Sequence, residues 1–295
     1  MNGAPAAMDP IRRLCVIGVG LIGGSLARAL RAAGHCGEIV GCGRGLHNLQ
    51  RAVELGVIDR FETDPAVAAR GADMVVLSVP LGAFRSVFAA LLNHLADDAV
   101  VTDAGSAKQC VVDDVRSVFG MIPPFFVPGH PISGTEQSGV DASFAELFQG
   151  RRVILTPLAE TSGHAHGRVQ TMWTRAGADV VDMGVRHHDE VLAATSHLPH
   201  VLAYSLVDTL ARMDDRAEIF RYAAGGFRDF TRIASSDPVM WRDICLANRE
   251  PVVAALDAFG QSLGLLADAI REGDGERVLS VFEHSKRSRD NLYRE

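Results

Sequence analysis

The chain has 295 residues, 47% of them hydrophobic and 22% charged, the balance of an ordinary soluble globular protein with room for two domains or one large α/β unit with an appendage. A formal net charge of −7 argues against a nucleic-acid partner and means that an anionic substrate needs a local cluster of arginine or histidine. No apolar run is expected to reach the length needed to span a bilayer, residues 1–10 lack an apolar signal core and read as a short disordered lead, and the scattered Cys15, Cys36, Cys42, Cys110 and Cys245 read as reduced thiols, so a cytoplasmic setting without a membrane partner is expected.

In chain order, the first strand candidate is Leu14–Ile17, and it runs into Gly18-Val19-Gly20-Leu21-Ile22-Gly23. This is G-x-G-x-x-G after a strand and at the start of a helix. Gly18 suits the tight turn, Gly20 lets backbone approach a pyrophosphate, and Gly23 allows close helix–strand packing. The helix start offers free N–H groups to the phosphates, with Leu21 and Ile22 in its first turn. A glycine-rich packing turn is the plainer alternative. Leu26, Ala29, Leu30 and Ala33 continue the helix at helical spacing and stop at Gly34; a second helical stretch, Leu49–Leu55, stops at Gly56.

The second strand, Glu38–Cys42, is followed by Gly43 and Arg44. NAD-specific loops carry Asp or Glu there to hold the ribose 2′-OH. A glycine followed by an arginine favours NADP, because arginine pairs with a 2′-phosphate; NAD stays possible if Arg44 only stacks on adenine. Further strands are read at Asp73–Val79, Ala99–Thr102, Phe125–Val127, Arg152–Leu155 and Asp179–Asp182. Met74-Val75-Val76-Leu77 is continuously apolar, as in a strand covered on both sides. The alternation with helices predicts βαβ units and a parallel sheet: a Rossmann-type dinucleotide-binding domain over residues 1–183.

Ligands in such sheets sit beyond the carboxyl ends of the strands. Three segments fall there. Ser78-Val79-Pro80 is one. Asp103-Ala104-Gly105-Ser106-Ala107-Lys108 is the second, where Ser106 either bonds a substrate hydroxyl, orients a base, or only caps a helix. The third is Gly129-His130-Pro131-Ile132-Ser133-Gly134-Thr135-Glu136, after Phe125–Val127, which would present His130 as a base to whatever the phosphate loop holds.

After Gly184 strand signals vanish, and residues 184–295 read as a helical domain. His188–Met213 is one long helical pattern with Pro199 as an expected kink. Gly225–Arg232 reads as a tight loop carrying Arg228 and Arg232, suited to a carboxylate or to surface ion pairs. Two more helices are expected at Pro251–Arg271 and Glu276–Tyr293. The apolar faces of this tail call for a second subunit. His187, His188, His197 and His200 lack zinc-ligand spacing and no cysteine accompanies them, so no metal is expected; an anion-binding wall fits them better.

The phosphate loop, Asp103-x-x-Ser106-x-Lys108, His130–Glu136, Ser196-His197-Leu198-Pro199-His200, Asp229-Phe230-Thr231-Arg232 and Asp237-Pro238-Val239-Met240-Trp241 occur in order. Together they resemble the prephenate/arogenate (cyclohexadienyl) dehydrogenases of tyrosine biosynthesis, from about Leu14 to Ser288. That resemblance implies His130 as catalytic base, Ser106 as its helper at the substrate hydroxyl, and Arg232 at the ring carboxylate. It also implies His188, His197, His200 and Glu136 around the substrate side chain, and a helical dimerisation domain in a homodimer. It leaves prephenate against arogenate open, and the glycine at position 43 departs from an NAD-specific pattern. A β-hydroxyacid dehydrogenase would usually need a lysine on a helix of the second domain, and His188–Met213 contains none. A non-catalytic nucleotide sensor would need neither His130 nor Arg232.

Overall fold

The computed structural model describes residues 9–213 and 216–291; most of the expected N-terminal lead (residues 1–8) and the expected helix end at Tyr293 lie outside the described residues. The described residues form nine strands, the longer of them on runs of Val, Ile, Leu and Cys: β1 (Ile11–Ile17), β2 (Cys36–Cys42), β3 (Arg60–Glu62), β4 (Met74–Leu77), β5 (Val100–Asp103), β6 (Phe126–Val127), β7 (Gly129–Pro131), β8 (Arg152–Leu155) and β9 (Asp179–Asp182). Helices between them are α1 (Leu21–Ala32), α2 (Leu46–Glu54), α3 (Pro65–Ala68), α4 (Phe84–Leu91), α5 (Gln109–Phe119) and α6 (Gly163–Arg175). The main sheet has the order β3-β2-β1-β4-β5-β6 with every pairing parallel. The strand order reverses between β1 and β4, which opens a ligand crevice at their carboxyl ends. All four residues of β4 are buried, as their continuous apolarity requires.

The single parallel sheet expected from the sequence is in fact two. β7, β8 and β9 form a separate three-stranded sheet in which β7 runs antiparallel to β8, with His130 opposite Ile154. His130 therefore does not sit on the end of β6. It lies in the middle of a short edge strand of its own, between Gly129 and Pro131, which pair with Leu155 and Val153 of β8. Pro128 separates β6 from β7, and its carbonyl accepts from the Thr156 N–H at 2.9 Å.

The helical part also departs from its reading. The pattern His188–Met213 divides into α7 (Val185–Leu192), a π-helical turn at Ala193–His197, and α8 (Leu198–Ala211). The break thus lies before Pro199, which occupies the first turn of α8, where a missing N–H is harmless. The π-turn shifts His197 relative to α7, the kind of local rewinding that recurs at functional sites. Gly225–Arg232 is not a loop: α9 (Arg216–Arg221) is followed by α10 (Gly225–Thr231), and Arg232 opens a 3₁₀ turn, Arg232–Ser235. Then comes α11 (Pro238–Ala247), capped by the Asp237 carboxylate on the Met240 N–H at 2.8 Å.

Residues Met1–Asn248 form one compact unit and Arg249–Glu295 a second. The second consists of α12 (Arg249–Glu272) and α13 (Gly275–Asn291), a helical hairpin turned at Gly273, whose φ of +70° suits glycine. One expectation is corrected here: α12 is long and apolar enough, by length and composition, to cross a membrane. Asp257, Gln261 and Ser262 interrupt its apolar residues, so that no continuous apolar run marks it in the sequence.

Candidate active site

The phosphate loop is built by close approach. Gly18, at φ +100°, presses against β4: a Cβ there would lie 2.1 Å from the Ser78 carbonyl oxygen. A Cβ on Gly23 would meet the Gly18 carbonyl oxygen at 2.3 Å and Val16 Cγ1 at 2.7 Å, so the helix–strand contact admits only glycine. Gly20, in contrast, has nothing within 4 Å of its Cβ position, and α1 begins at Leu21 with no side-chain cap. An open glycine before uncapped N–H groups is a fitting cradle for a pyrophosphate. Leu21 and Ile22 are half-buried beside it, and Ser78 and Val79 border the same turn, while Pro80 is exposed. The loop is braced from behind by Asn48, which donates to the Val19 carbonyl at 2.7 Å and accepts from the Val140 N–H at 3.1 Å. Gly43 has only Leu49 near its Cβ position, at 3.6 Å. Arg44 beside it is exposed and forms no ion pair among the described residues.

His130 is held twice, through its backbone and through its ring. Asp103, at the end of β5, accepts from the Gly129 N–H at 3.1 Å and from the Gly105 N–H at 2.8 Å. Lys108 forms an ion pair with Asp103 and donates to the Gly129 carbonyl at 2.7 Å. Both charged side chains are wholly buried, and each neutralises the other, as burial demands. The His130 ring places Nδ1 2.9 Å from His188 Nε2, and His188 Nδ1 lies 2.8 Å from Asp189 Oδ1. Asp189 also accepts from the Lys108 and Gln109 N–H groups, each at 2.8 Å. A carboxylate on α7 thus caps α5, and Ser106 does not. Ser106 is half-buried in the turn before that helix, and the side-chain hydrogen bond of His130 goes to His188 rather than to it.

Burial dominates the electrostatics. It pushes the His130 imidazole well below its ordinary range, reinforced by His188, Lys108 and His197 nearby. His188 is lowered too, again by burial, against the opposing hydrogen bond of Asp189. For Asp189 burial acts upwards, but the hydrogen bonds from His188, Gln109 and Lys108 outweigh it and hold the carboxyl below its usual range. His197 is lowered to about 4, chiefly by burial. These rings are neutral at pH 7.

The remaining predicted residues fall into two groups. Asn248 Nδ2 donates to the Asp189 backbone carbonyl at 2.8 Å and lies 3.1 Å from His197 Nδ1. A nitrogen that accepts leaves the proton on Nε2, and this His197 Nε2 is buried without a partner. His200 stacks on Trp241 at 3.4 Å between centroids and donates from Nδ1 to the Ser196 carbonyl at 2.9 Å. Glu136 and Arg232 form an ion pair with each other, both exposed. Sequence reasoning missed Asp189 and Asn248. Asp189 directly follows His188, but nothing local announces that its carboxylate reaches the start of α5.

Comparison with known proteins gives the family. Residues 26–182 match the family model "Prephenate dehydrogenase, nucleotide-binding domain", and residues 185–284 match "Prephenate dehydrogenase, dimerization domain". A cyclohexadienyl dehydrogenase of Zymomonas mobilis is 39% identical over 288 residues, covering 96% of each chain. A prephenate dehydrogenase of Bacillus subtilis is 33% identical over 281 residues, 95% of this chain and 76% of that one. Among solved structures, the prephenate dehydrogenase from A. aeolicus in complex with hydroxyphenyl propionate and NAD+ superposes with a TM-score of 0.89, at 38% identity, over 98% of this chain and 100% of that one. By both halves of its length, the chain belongs to the prephenate dehydrogenase family.

Proposed function

We propose that this chain catalyses the oxidative decarboxylation of prephenate, arogenate or both, to 4-hydroxyphenylpyruvate or tyrosine, with hydride passing to a nicotinamide dinucleotide. The observation that carries the reading is a buried, neutral histidine, His130, clamped in a strand next to β5, whose end lies in the row of strand ends that carries the phosphate loop. When bound, the nicotinamide supplies the hydride acceptor. Gly18, Gly20, Leu21, Ile22 and Gly23 would hold its phosphates, with Ser78, Val79 and Pro80 bordering the ring.

His130 takes the proton of the ring hydroxyl as hydride leaves the same carbon. The resulting ketone is conjugated to the carbon that bears the carboxylate, so loss of CO₂ is driven by aromatisation. Ser106 orients the hydroxyl. Arg232 would exchange its Glu136 partner for the ring carboxylate and should position that group without over-stabilising a charge that must leave as neutral CO₂. His197 Nε2–H is a buried donor without a partner and suits the substrate side chain, with His200 beside it. His188 contributes through His130.

NADP is favoured over NAD, because position 43 lacks the acid and Arg44 is free to meet a 2′-phosphate. The A. aeolicus relative was solved with NAD+, which makes the pairwise assay decisive. We assign residues 1–183 to the dinucleotide-binding domain and 184–295 to a dimerisation and substrate domain, the family matches breaking between 182 and 185. A homodimer and a cytoplasmic location go with this reading. Large apolar side chains stand exposed throughout the second part, among them Phe230, Leu246, Phe259, Leu263, Leu265 and Phe282, and the apolarity of α12 has the same explanation. The test is incubation of the pure protein with prephenate and with arogenate, each with NAD+ or NADP+, following reduced nicotinamide and CO₂. Reduction with at least one pair is expected; none with any pair overturns the assignment.

A further inference from the structure

The side chains behind His130 form a directed chain of hydrogen bonds, and its direction can be read from its far end. Asp189 accepts two backbone N–H bonds, at 2.8 Å each, from Lys108 and Gln109. A carboxylate so placed has no use for a proton of its own and acts as an acceptor towards every neighbour. The His188 nitrogen that meets it at 2.8 Å, Nδ1, must therefore carry hydrogen. In a neutral imidazole the other nitrogen is then bare, so His188 Nε2 is an acceptor. At 2.9 Å from it, His130 Nδ1 must be the donor. One tautomer of His130 is left: hydrogen on Nδ1, lone pair on Nε2. Alternatives are closed off by burial, since His188 has no exposed side-chain area and, among the described residues, no other hydrogen-bond partner for Nε2.

We infer that Asp189 and His188 are positioning residues that lock His130 in its Nδ1–H tautomer, making Nε2 the atom that removes the substrate proton. This rests on the proposed reaction. In that step the substrate O–H bond breaks and its proton forms the Nε2–H bond. The O–H electron pair becomes the carbonyl π bond, and the C–H pair leaves as hydride, for which a bound nicotinamide would be the acceptor. The His130 imidazolium so formed keeps its Nδ1–H on His188, which in turn is held to the Asp189 carboxylate. The other charged or titratable groups around the pair are Lys108 and Asp103, which neutralise each other, and His197, which is neutral. The logic is that of acid–histidine pairs in other enzymes, where the carboxylate selects tautomer and ring orientation without taking up a proton, here extended by one imidazole.

The same elements clamp the backbone. Lys108 donates its backbone N–H to Asp189 and its ammonium to the Gly129 carbonyl, so the group that orients the ring and the group that fixes the strand share one residue.

The experiment has two arms. The first is nitrogen NMR of the whole chain labelled with ¹⁵N-histidine, without substrate and near neutral pH, with signals assigned by single histidine substitutions. We expect His130 Nδ1 protonated and Nε2 bare; a protonated Nε2 with a bare Nδ1 overturns the proposal. The second compares His188→Leu with His188→Gln. Leucine removes the acceptor, and kcat should fall about tenfold to a hundredfold with substrate KM and cofactor Kd nearly unchanged. Glutamine can offer Oε1 where Nε2 stood, and should restore most of the loss. Equal losses in the two variants, or a loss confined to KM, overturn it. If the leucine variant does not fold, the NMR arm decides alone. Failure of the proposed reaction would show differently, as a wild-type chain with the expected tautomer that reduces no cofactor with either substrate.

Discussion

At the scale of the residue, His130 sits among neighbours that keep it uncharged. His130→Ala should lower turnover roughly a hundredfold or more, the usual worth of a general base, while cofactor affinity stays close to wild type, because the phosphate loop and His130 lie on different sheets. Near-normal turnover would remove His130 from the base position. The same burial makes a prediction about pH and stability. His130, His188 and His197 are all held below the ordinary value of 6.5, His197 at about 4. Below 6.5 the unfolded chain binds protons that the folded one refuses, so stability falls as pH drops from that value towards the folded value. Asp189 acts with the opposite origin but in the same direction, its contribution being lost only at more acid pH, below the unfolded carboxyl value of 3.8. Thermal melting between about pH 7 and 5 should show a falling Tm, and His197→Phe should flatten that slope. A Tm independent of pH over this range would contradict the burial of these rings as neutral groups.

Among elements, those with strong local patterns were legible and those set by distant partners were not. β1, β4 and β8 carry consecutive apolar residues, and the G-x-G-x-x-G turn announces both its strand and its helix. β3 and β7 are three residues each, too short to show a period, and the pairing of β7 with β8 depends on residues that a local reading never brings together. The same applies to α10, whose Gly225-Gly226 start reads as a turn until the tertiary structure overrides it. In the candidate site, His130 and Arg232 stand in motifs that a local reading can propose, whereas Asp189 and Asn248 make their contacts across 81 and 51 residues. The carboxyl end of β2 carries a prediction at this scale. Aspartate at position 43 would find only Leu49 in ordinary contact distance, so Gly43→Asp should fold normally. It should repel a 2′-phosphate and offer an acceptor to a 2′-hydroxyl. The wild type should use NADP at least as well as NAD, and the variant should shift the ratio of kcat/KM values towards NAD. A wild type that strongly prefers NAD would show that Arg44 does not meet a phosphate.

For the whole molecule, the second half has more apolar surface than its own packing hides. In α8 only Ala203 is buried, although the helix is rich in Leu and Val, and in α12 only Val252 and Ala269 are. Leu246 is 66% exposed, Leu265 57% and Phe282 55%. Patches of that kind mark an interface rather than a solvent surface. Helices of both copies, drawn from residues 184–295, should build a common core, and an interface of that type buries well above ~2,000 Å². The dimer should then be obligate: no folded single chain, and a melting temperature that rises with protein concentration, since dissociation and unfolding are one equilibrium. Because Arg232, His197 and His200 belong to this same half, activity should fall as the dimer is forced apart. Sedimentation at low micromolar concentration, with activity measured on the same sample, is the check. A stable, active particle near the 31.6 kDa of one chain would mean that these apolar helices are covered in some other way.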